Sequence, residues 1–141
     1  MIADRVFLDT VFVQALLNRA DHFHAQSVSL FQKFTTYTEI WTTEAVLTEI
    51  ANALSVLNRA GAVRFLDGAY HAPNVKIAAI DTGLFHRALD LYRRRSDKEW
   101  GMTDCISFVV MQEQGISNAL TADHHFEQAG FNLLMENKPV S

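Results

Sequence analysis

The chain has 141 residues, 49% of them hydrophobic and 20% charged, with a formal net charge of −4. That length suits one domain over residues 1–141 with a core large enough to need no disulfide or metal staple. A lone cysteine, Cys105, excludes an internal disulfide and a multi-cysteine zinc site, and no apolar run approaches the ~20 residues of a membrane span.

The acidic balance weighs against nucleic acid held mainly by a basic surface, unless acids are gathered around a cation that reverses the local field. No basic leader with an apolar segment opens the sequence, so a soluble cytoplasmic protein without membrane partners is expected. Order is expected throughout except near Asn137-Lys138-Pro139, which reads as frayed. Cys105 lies in an apolar run and reads as a core residue rather than a nucleophile.

The first element is Arg5-Val6-Phe7-Leu8-Asp9-Thr10, an apolar run closed by a carboxylate. Three bulky apolar residues in succession fit a strand buried on both faces of a parallel sheet. Asp9 then stands at the strand's carboxyl end, the edge where open α/β sheets bind ligands. Thr10 to Arg19 follows with Val13, Leu16 and Leu17 at helical spacing. Asp21-His22 reads as the cap of a second helix from about Phe23 to Phe34, striped by Val28, Phe31 and Phe34.

Tyr37 to Thr42 alternates apolar and polar residues and predicts a second strand. Thr42-Thr43-Glu44 resembles a helix start, and that helix runs through Val46, Leu47, Ile50, Leu54 and Leu57 until Asn58 or Gly61 interrupts it. Ala62 to Ala69 reads as a short helix, Pro73-Asn74 as a turn, and Val75 to Ile80 as a third strand. Asp81-Thr82 caps a helix over Leu84 to Leu91 that ends in Arg93-Arg94-Arg95.

Ser96 to Gly101 is polar and predicts a loop, and Thr103 then caps a helix from Asp104 to Gln112 that is apolar nearly all round. Gly115 closes it. Asn118 to Thr121 is a fourth strand, Asp123 to Gln128 a helical turn closed by Gly130, and Phe131 to Met135 a fifth strand. Strands alternating with helices imply a mostly parallel five-stranded sheet covered on both faces.

Topology then sorts the acids. Asp9 ends the first strand, Glu44 and Glu49 lie in the helix after the second, and Asp81 and Asp123 follow the third and fourth. Asp104 opens the helix that feeds the fourth strand and faces the same edge. Asp81 reads as a helix cap, and Glu44 as an acid suited to a helix N-terminus. Glu49 lies beside the stripe of Val46, Ile50 and Ala53 and turns partly inward, where a carboxylate is costly without a partner.

Taken singly, Asp104 also reads as an acid after a threonine cap and Asp123 as a turn or cap residue. Together, Asp9, Glu49, Asp104 and Asp123 would put four carboxylates at one edge of the sheet. Such a cluster repels itself unless a cation intervenes. Oxygen ligands select a hard divalent ion, with Mg²⁺ the expected occupant and Mn²⁺ a substitute. A metal there activates water against a phosphodiester, hydrolytic chemistry with no covalent enzyme intermediate.

Four blocks carry a family resemblance: Phe7-Leu8-Asp9-Thr10; Thr42-Thr43 with Glu49 downstream; Trp100 to Phe108 around Thr103-Asp104; and Ala119-Leu120-Thr121-Ala122-Asp123-His124-His125-Phe126 through Ala129-Gly130-Phe131. Together they resemble the PIN-domain nucleases, in particular the VapC-like toxins of toxin–antitoxin pairs, over essentially the whole chain.

The resemblance implies a PIN-like three-layer α/β/α fold and a Mg²⁺-dependent endoribonuclease acting on a structured RNA such as a tRNA. It also implies a cognate antitoxin and a homodimer. Carried over residue by residue, it assigns Asp9, Glu49, Asp104 and Asp123 as the acidic quartet, Asp9, Asp104 and Asp123 as metal ligands, and Thr10 and Thr121 as supporting hydroxyls. The choice between Glu44 and Glu49 rests on a spacing that varies in the family.

Around this set, Arg93, Arg94, Arg95 and Lys98 are candidates for RNA phosphates, or else a solvated face at a helix C-terminus. Trp100 is a candidate for base stacking or for packing. His124 and His125 are candidates for proton donation to the leaving group, against a mechanism that uses water. Phe23, Phe31, Phe34 and Trp41 serve the core or a partner surface.

Two other readings stay in view. One is a degenerate PIN-like module that binds RNA or protein without cutting. The other is a phosphoacceptor receiver-type domain, which is disfavoured because Leu133-Leu134-Met135-Glu136 supplies no lysine at a late strand end.

Overall fold

The computed structural model describes residues 4–136, and the fraying expected at Asn137-Lys138-Pro139 lies outside them. Five strands, β1 (Arg5–Leu8), β2 (Glu39–Thr43), β3 (Val75–Ala78), β4 (Asn118–Leu120) and β5 (Asn132–Leu133), form one sheet. The order is β3-β2-β1-β4-β5, and every neighbouring pair is parallel.

β1 is the middle strand, which is why its sequence is apolar without alternation: Val6, Phe7 and Leu8 are each at most 1% exposed. Its side chains enter different layers. The Phe7 ring lies 6.2 Å from Phe126, which packs edge-on to Phe108, whereas Leu8 lines a cavity of about 270 Å³ with Phe31, Phe34 and Phe65.

Seven helices are found among the described residues: α1 (Thr10–Leu16), α2 (His24–Phe31), α3 (Glu44–Ala53), α4 (Arg59–His71), α5 (Thr82–Arg94), α6 (Met102–Gln114) and α7 (His124–Gln128). The α/β architecture read from the alternation of elements is the observed one. Boundaries moved where tertiary contacts outweighed periodicity.

The second helix stops at Phe31 rather than Phe34, and Phe34–Thr36 forms a separate 3-10 turn. The third stops at Ala53 rather than continuing to Leu57, leaving Val56 97% exposed. Asn58 then caps α4 by accepting from the Gly61 amide, so this helix is longer on both sides than Ala62 to Ala69. β3 ends at Ala78 instead of Ile80, and β5 is two residues long rather than five.

Gly101, not Thr103, stands at the cap position of α6. Gly115 closes that helix with φ +66°, a conformation natural to glycine, as the sequence predicts. The aromatic surplus packs largely on itself. Phe12 stacks on Phe34 at 5.3 Å and Phe31 meets Phe34 edge-on at 4.8 Å, although Phe31 keeps 44% of its surface exposed.

Candidate active site

β1 delivers Asp9 to the carboxyl edge of the sheet. Asp9 follows the last residue of the strand and stands at the cap position of α1, with only 5% of its surface exposed. Thr42 on β2 donates its hydroxyl to the Leu8 carbonyl at 2.9 Å, which fixes the strand end just before the acid.

Thr121, one residue beyond β4, is wholly buried and donates to Asp9 Oδ2 at 2.7 Å. The same hydroxyl oxygen accepts the Asp123 backbone amide at 3.1 Å. Burial pushes the Asp9 carboxyl up from 3.8 to about 7, with Asp123 and Asp104 adding to the rise and the bonds from Thr121 and Thr10 opposing it.

Asp123 stands at the cap position of α7 and accepts the His125 amide on Oδ1 at 2.9 Å. His125 Nδ1 in turn lies 3.1 Å from Asp104 Oδ2, and the Gly101 amide donates to that oxygen at 3.3 Å. Partial burial, and then the neighbouring Asp123, push the Asp104 carboxyl upward too. A continuous relay therefore runs from Asp9 through Thr121, Asp123 and His125 to Asp104.

The two glutamates of α3 part company. Glu49 Oε1 accepts at 3.1 Å from the hydroxyl of Thr10, the residue that follows Asp9 in the chain. Glu49 is exposed, however, and does not turn partly inward as its place beside the apolar stripe predicts. Glu44 Oε1 accepts from the Ile80 amide at 3.1 Å, tying α3 to the chain beyond β3. Five positions separate them, about 140° around a helix, so they cannot serve the same place. Asp81 caps α5 by accepting from the Leu84 amide at 2.8 Å, as its sequence context predicts.

The basic cluster is partly engaged. Arg93 pairs with Asp90 at 2.8 Å, Arg95 grips Asp97 with two bonds of 3.0 Å, and Lys98 lies 4.0 Å from the same carboxylate. Arg94 is exposed at the end of α5. Trp100 does not offer its face to solvent for base stacking. It is 5% exposed, meets Phe108 edge-on, donates to Gln128 and carries Arg95 5.1 Å above its ring.

Cys105 is fully buried, and burial pushes its thiol up to about 11, which removes it as a nucleophile. Sequence reasoning missed Thr42, hidden in what read as a helix start, and the bridging place of His125. The adjacent histidines were the only signal for the latter. Ligand atoms of Asp123, His124 and His125 all lie within 4.8 Å of one another.

Asp9, Asp104 and Asp123 offer the oxygen donors a hard cation takes, although the described residues whose ligand atoms come together are Asp123 and the two histidines. Asp9 and Asp104 have their protonated forms favoured by burial and by neighbouring acids. A cation relieves that repulsion.

The fold is an all-parallel α/β sheet with a relay of acids at the carboxyl edge of its central strands, the architecture of the PIN-type nucleases. The chain belongs to the PIN-domain family, whose model matches residues 6–132. Among curated relatives, the 23S rRNA-specific endonuclease VapC20 of Mycobacterium tuberculosis is 29% identical over 135 residues, covering 89% of this chain and 95% of the relative.

The crystal structure of that VapC20, described as a Sarcin-Ricin loop cleaving toxin, superposes with a TM-score of 0.79 at 28% identity, covering 89% of this chain and 95% of the other. FitAcB from Neisseria gonorrhoeae shares the fold at TM-score 0.63 and 14% identity, covering 91% and 95%. VapBC2 from Rickettsia felis shares it at 0.62 and 14%, covering 92% and 96%. Among the described residues, no helix is long and apolar enough to cross a membrane.

Proposed function

We propose that this chain is a single-domain, divalent-cation-dependent endoribonuclease and the toxin of a toxin–antitoxin pair. One observation carries the reading: Asp9, buried at the sheet edge, is tethered to Asp123 through Thr121, and Asp123 is linked to Asp104 through His125.

Asp9, Asp104 and Asp123 would hold the cation, Mg²⁺ first and Mn²⁺ as a substitute, and Glu49 would complete the acidic set. A divalent ion so held supplies Lewis acidity toward a phosphodiester and an attacking water. Thr121 fixes the carboxylate of Asp9 and, through the amide of Asp123, the start of α7. Thr10, which follows Asp9 in the chain, donates to the Glu49 carboxylate, which can accept the proton of the attacking water. Arg94 meets phosphates of the RNA backbone with long-range attraction, while Arg93, Arg95 and Lys98 are tempered by Asp90 and Asp97.

The substrate class is a structured RNA. VapC20 supports the sarcin–ricin hairpin of 23S rRNA as the first substrate to test, with tRNA as the comparator. Its description as a toxin also supports a cognate antitoxin, and a homodimer in the cytoplasm completes the reading.

The test is cleavage of a hairpin RNA with and without chelator. Chelation is expected to abolish cleavage, and added Mg²⁺ or Mn²⁺ to restore it. Asp9→Asn and Asp104→Asn are expected to be folded and inactive. A folded Asp9→Asn protein that cuts RNA at the original rate overturns the assignment, and a protein that binds RNA yet never cuts it favours a non-hydrolytic module.

A further inference from the structure

The carboxylates and threonines leave one member of the relay without a function. His125 sits on α7 with its side chain only 20% exposed. Nδ1 lies 3.1 Å from Asp104 Oδ2 and 3.5 Å from Asp123 Oδ1, and the backbone N–H donates to that same Asp123 oxygen at 2.9 Å. A single residue thus meets both acids, one with its ring and the other with its main chain.

We propose that His125 is a positioning residue: its imidazole donates from Nδ1 to Asp104 and holds that carboxylate in register with Asp123 for divalent-cation binding. This rests on the reading of Asp104 and Asp123 as cation ligands.

Three observations carry the assignment. As a cation ligand Asp104 is ionised and only accepts, so in that state the 3.1 Å contact requires the hydrogen on Nδ1. With its hydrogen in place Nδ1 cannot ligate a metal, so toward Asp104 that nitrogen acts by orientation alone. Next, among the described residues the Asp104 carboxylate otherwise accepts only from Gly101 at 3.3 Å, on its own side of the site, so His125 is its hydrogen-bonded link to α7.

Finally, the imidazole is held on a firm base. Phe126, the next residue, is fully buried, and the His124 ring flanks His125 with centroids 4.6 Å apart. His124 itself is 70% exposed and stands 3.8 Å from Asp123, too open and too distant to orient a carboxylate. Metal-binding carboxylates commonly depend on such hydrogen-bonded partners, whose loss weakens metal affinity or activity by about 10–100-fold.

Calorimetric titration with Mn²⁺ in the absence of RNA tests this on the full chain, using the original protein, His125→Ala, His125→Asn and Asp104→Asn. His125→Ala is expected to bind Mn²⁺ about 10–100-fold more weakly. His125→Asn, whose side-chain amide offers an N–H in the same direction, is expected to recover most of that loss. Cleavage is expected to follow in kcat, with KM for RNA unchanged.

Undiminished binding by His125→Ala alongside weakened Asp104→Asn overturns this inference alone. So does an Asn variant as weak as Ala, or nitrogen coupling to bound Mn²⁺ in pulsed electron paramagnetic resonance, which makes His125 a ligand. A chain that binds no Mn²⁺, or an Asp104→Asn variant that binds it undiminished, overturns the cation reading as well.

Discussion

Thr121 donates its hydroxyl hydrogen to Asp9 Oδ2 at 2.7 Å from a fully buried position, joining the ends of two neighbouring strands at a buried acid. Because the oxygen also accepts from Asp123, one side chain sets the orientation of two carboxylate-bearing segments. Thr121→Val keeps the shape and removes both bonds. It is expected to cost about 1–3 kcal/mol, read as a lower melting temperature, and to cut cleavage by at least ~10-fold. Since the hydroxyl holds the Asp9 carboxyl down, Asp9 of the metal-free variant is expected to titrate at higher pH than in the original protein. Thr121→Ser is expected to keep both properties close to the original.

The Asp9 carboxyl rises from 3.8 to about 7 on folding, so in this window the metal-free native state binds the proton more tightly than the unfolded chain. Its contribution to stability is full below about pH 4, shrinks as pH rises, and is gone above about pH 7, an effect on the order of a few kcal/mol. Asp104 shifts in the same direction. In chelator, the original protein is therefore expected to lose more stability between pH 5 and pH 8 than Asp9→Asn. Denaturant midpoints at the two pH values check this, and identical slopes for the two proteins would refute it.

Glu49 and Glu44 are expected to separate function from stability. Glu49→Gln changes a group hydrogen-bonded to Thr10 beside Asp9, and is expected to lower kcat by ~10²-fold or more with little change in melting temperature. Glu44→Ala removes the acceptor of the Ile80 amide and is expected to cost about 1 kcal/mol while leaving cleavage intact. The opposite pattern would exchange the two assignments.

Arg94 and Arg95 are expected to fail differently. Arg94→Ala is expected to raise KM for RNA several-fold at low salt and to reduce the slope of log affinity against log salt by about 1. Arg95→Ala breaks the grip on Asp97 and uncovers the Trp100 ring, so its main effect is expected in thermal stability. Salt titrations of RNA binding, paired with melting curves, distinguish them.

Much of the fold is legible in residue types alone. An unbroken Val-Phe-Leu run marks a middle strand, and the Asp81 cap and the Gly115 stop are local chemistry that a short window contains. Boundaries were less legible where a helix end depends on distant packing. Leu57 continues the helical stripe of Val46 and Ile50, yet it is 60% exposed because Asn58 starts a new helix there.

The sequence by itself determined that acids fall at strand ends, because the position of a charge after an apolar run needs no partner to be read. It favoured Glu49 over Glu44 without deciding between them, because both lie in one helix and only the arrival of Thr10 from α1 and of Ile80 from beyond β3 distinguishes their surroundings. Nor could it show that Thr121 and His125 stitch Asp9, Asp123 and Asp104 into one relay. Those links span up to 112 residues of chain. Only the packing of β4 against β1, and of α6 beside α7, brings their atoms within hydrogen-bonding distance.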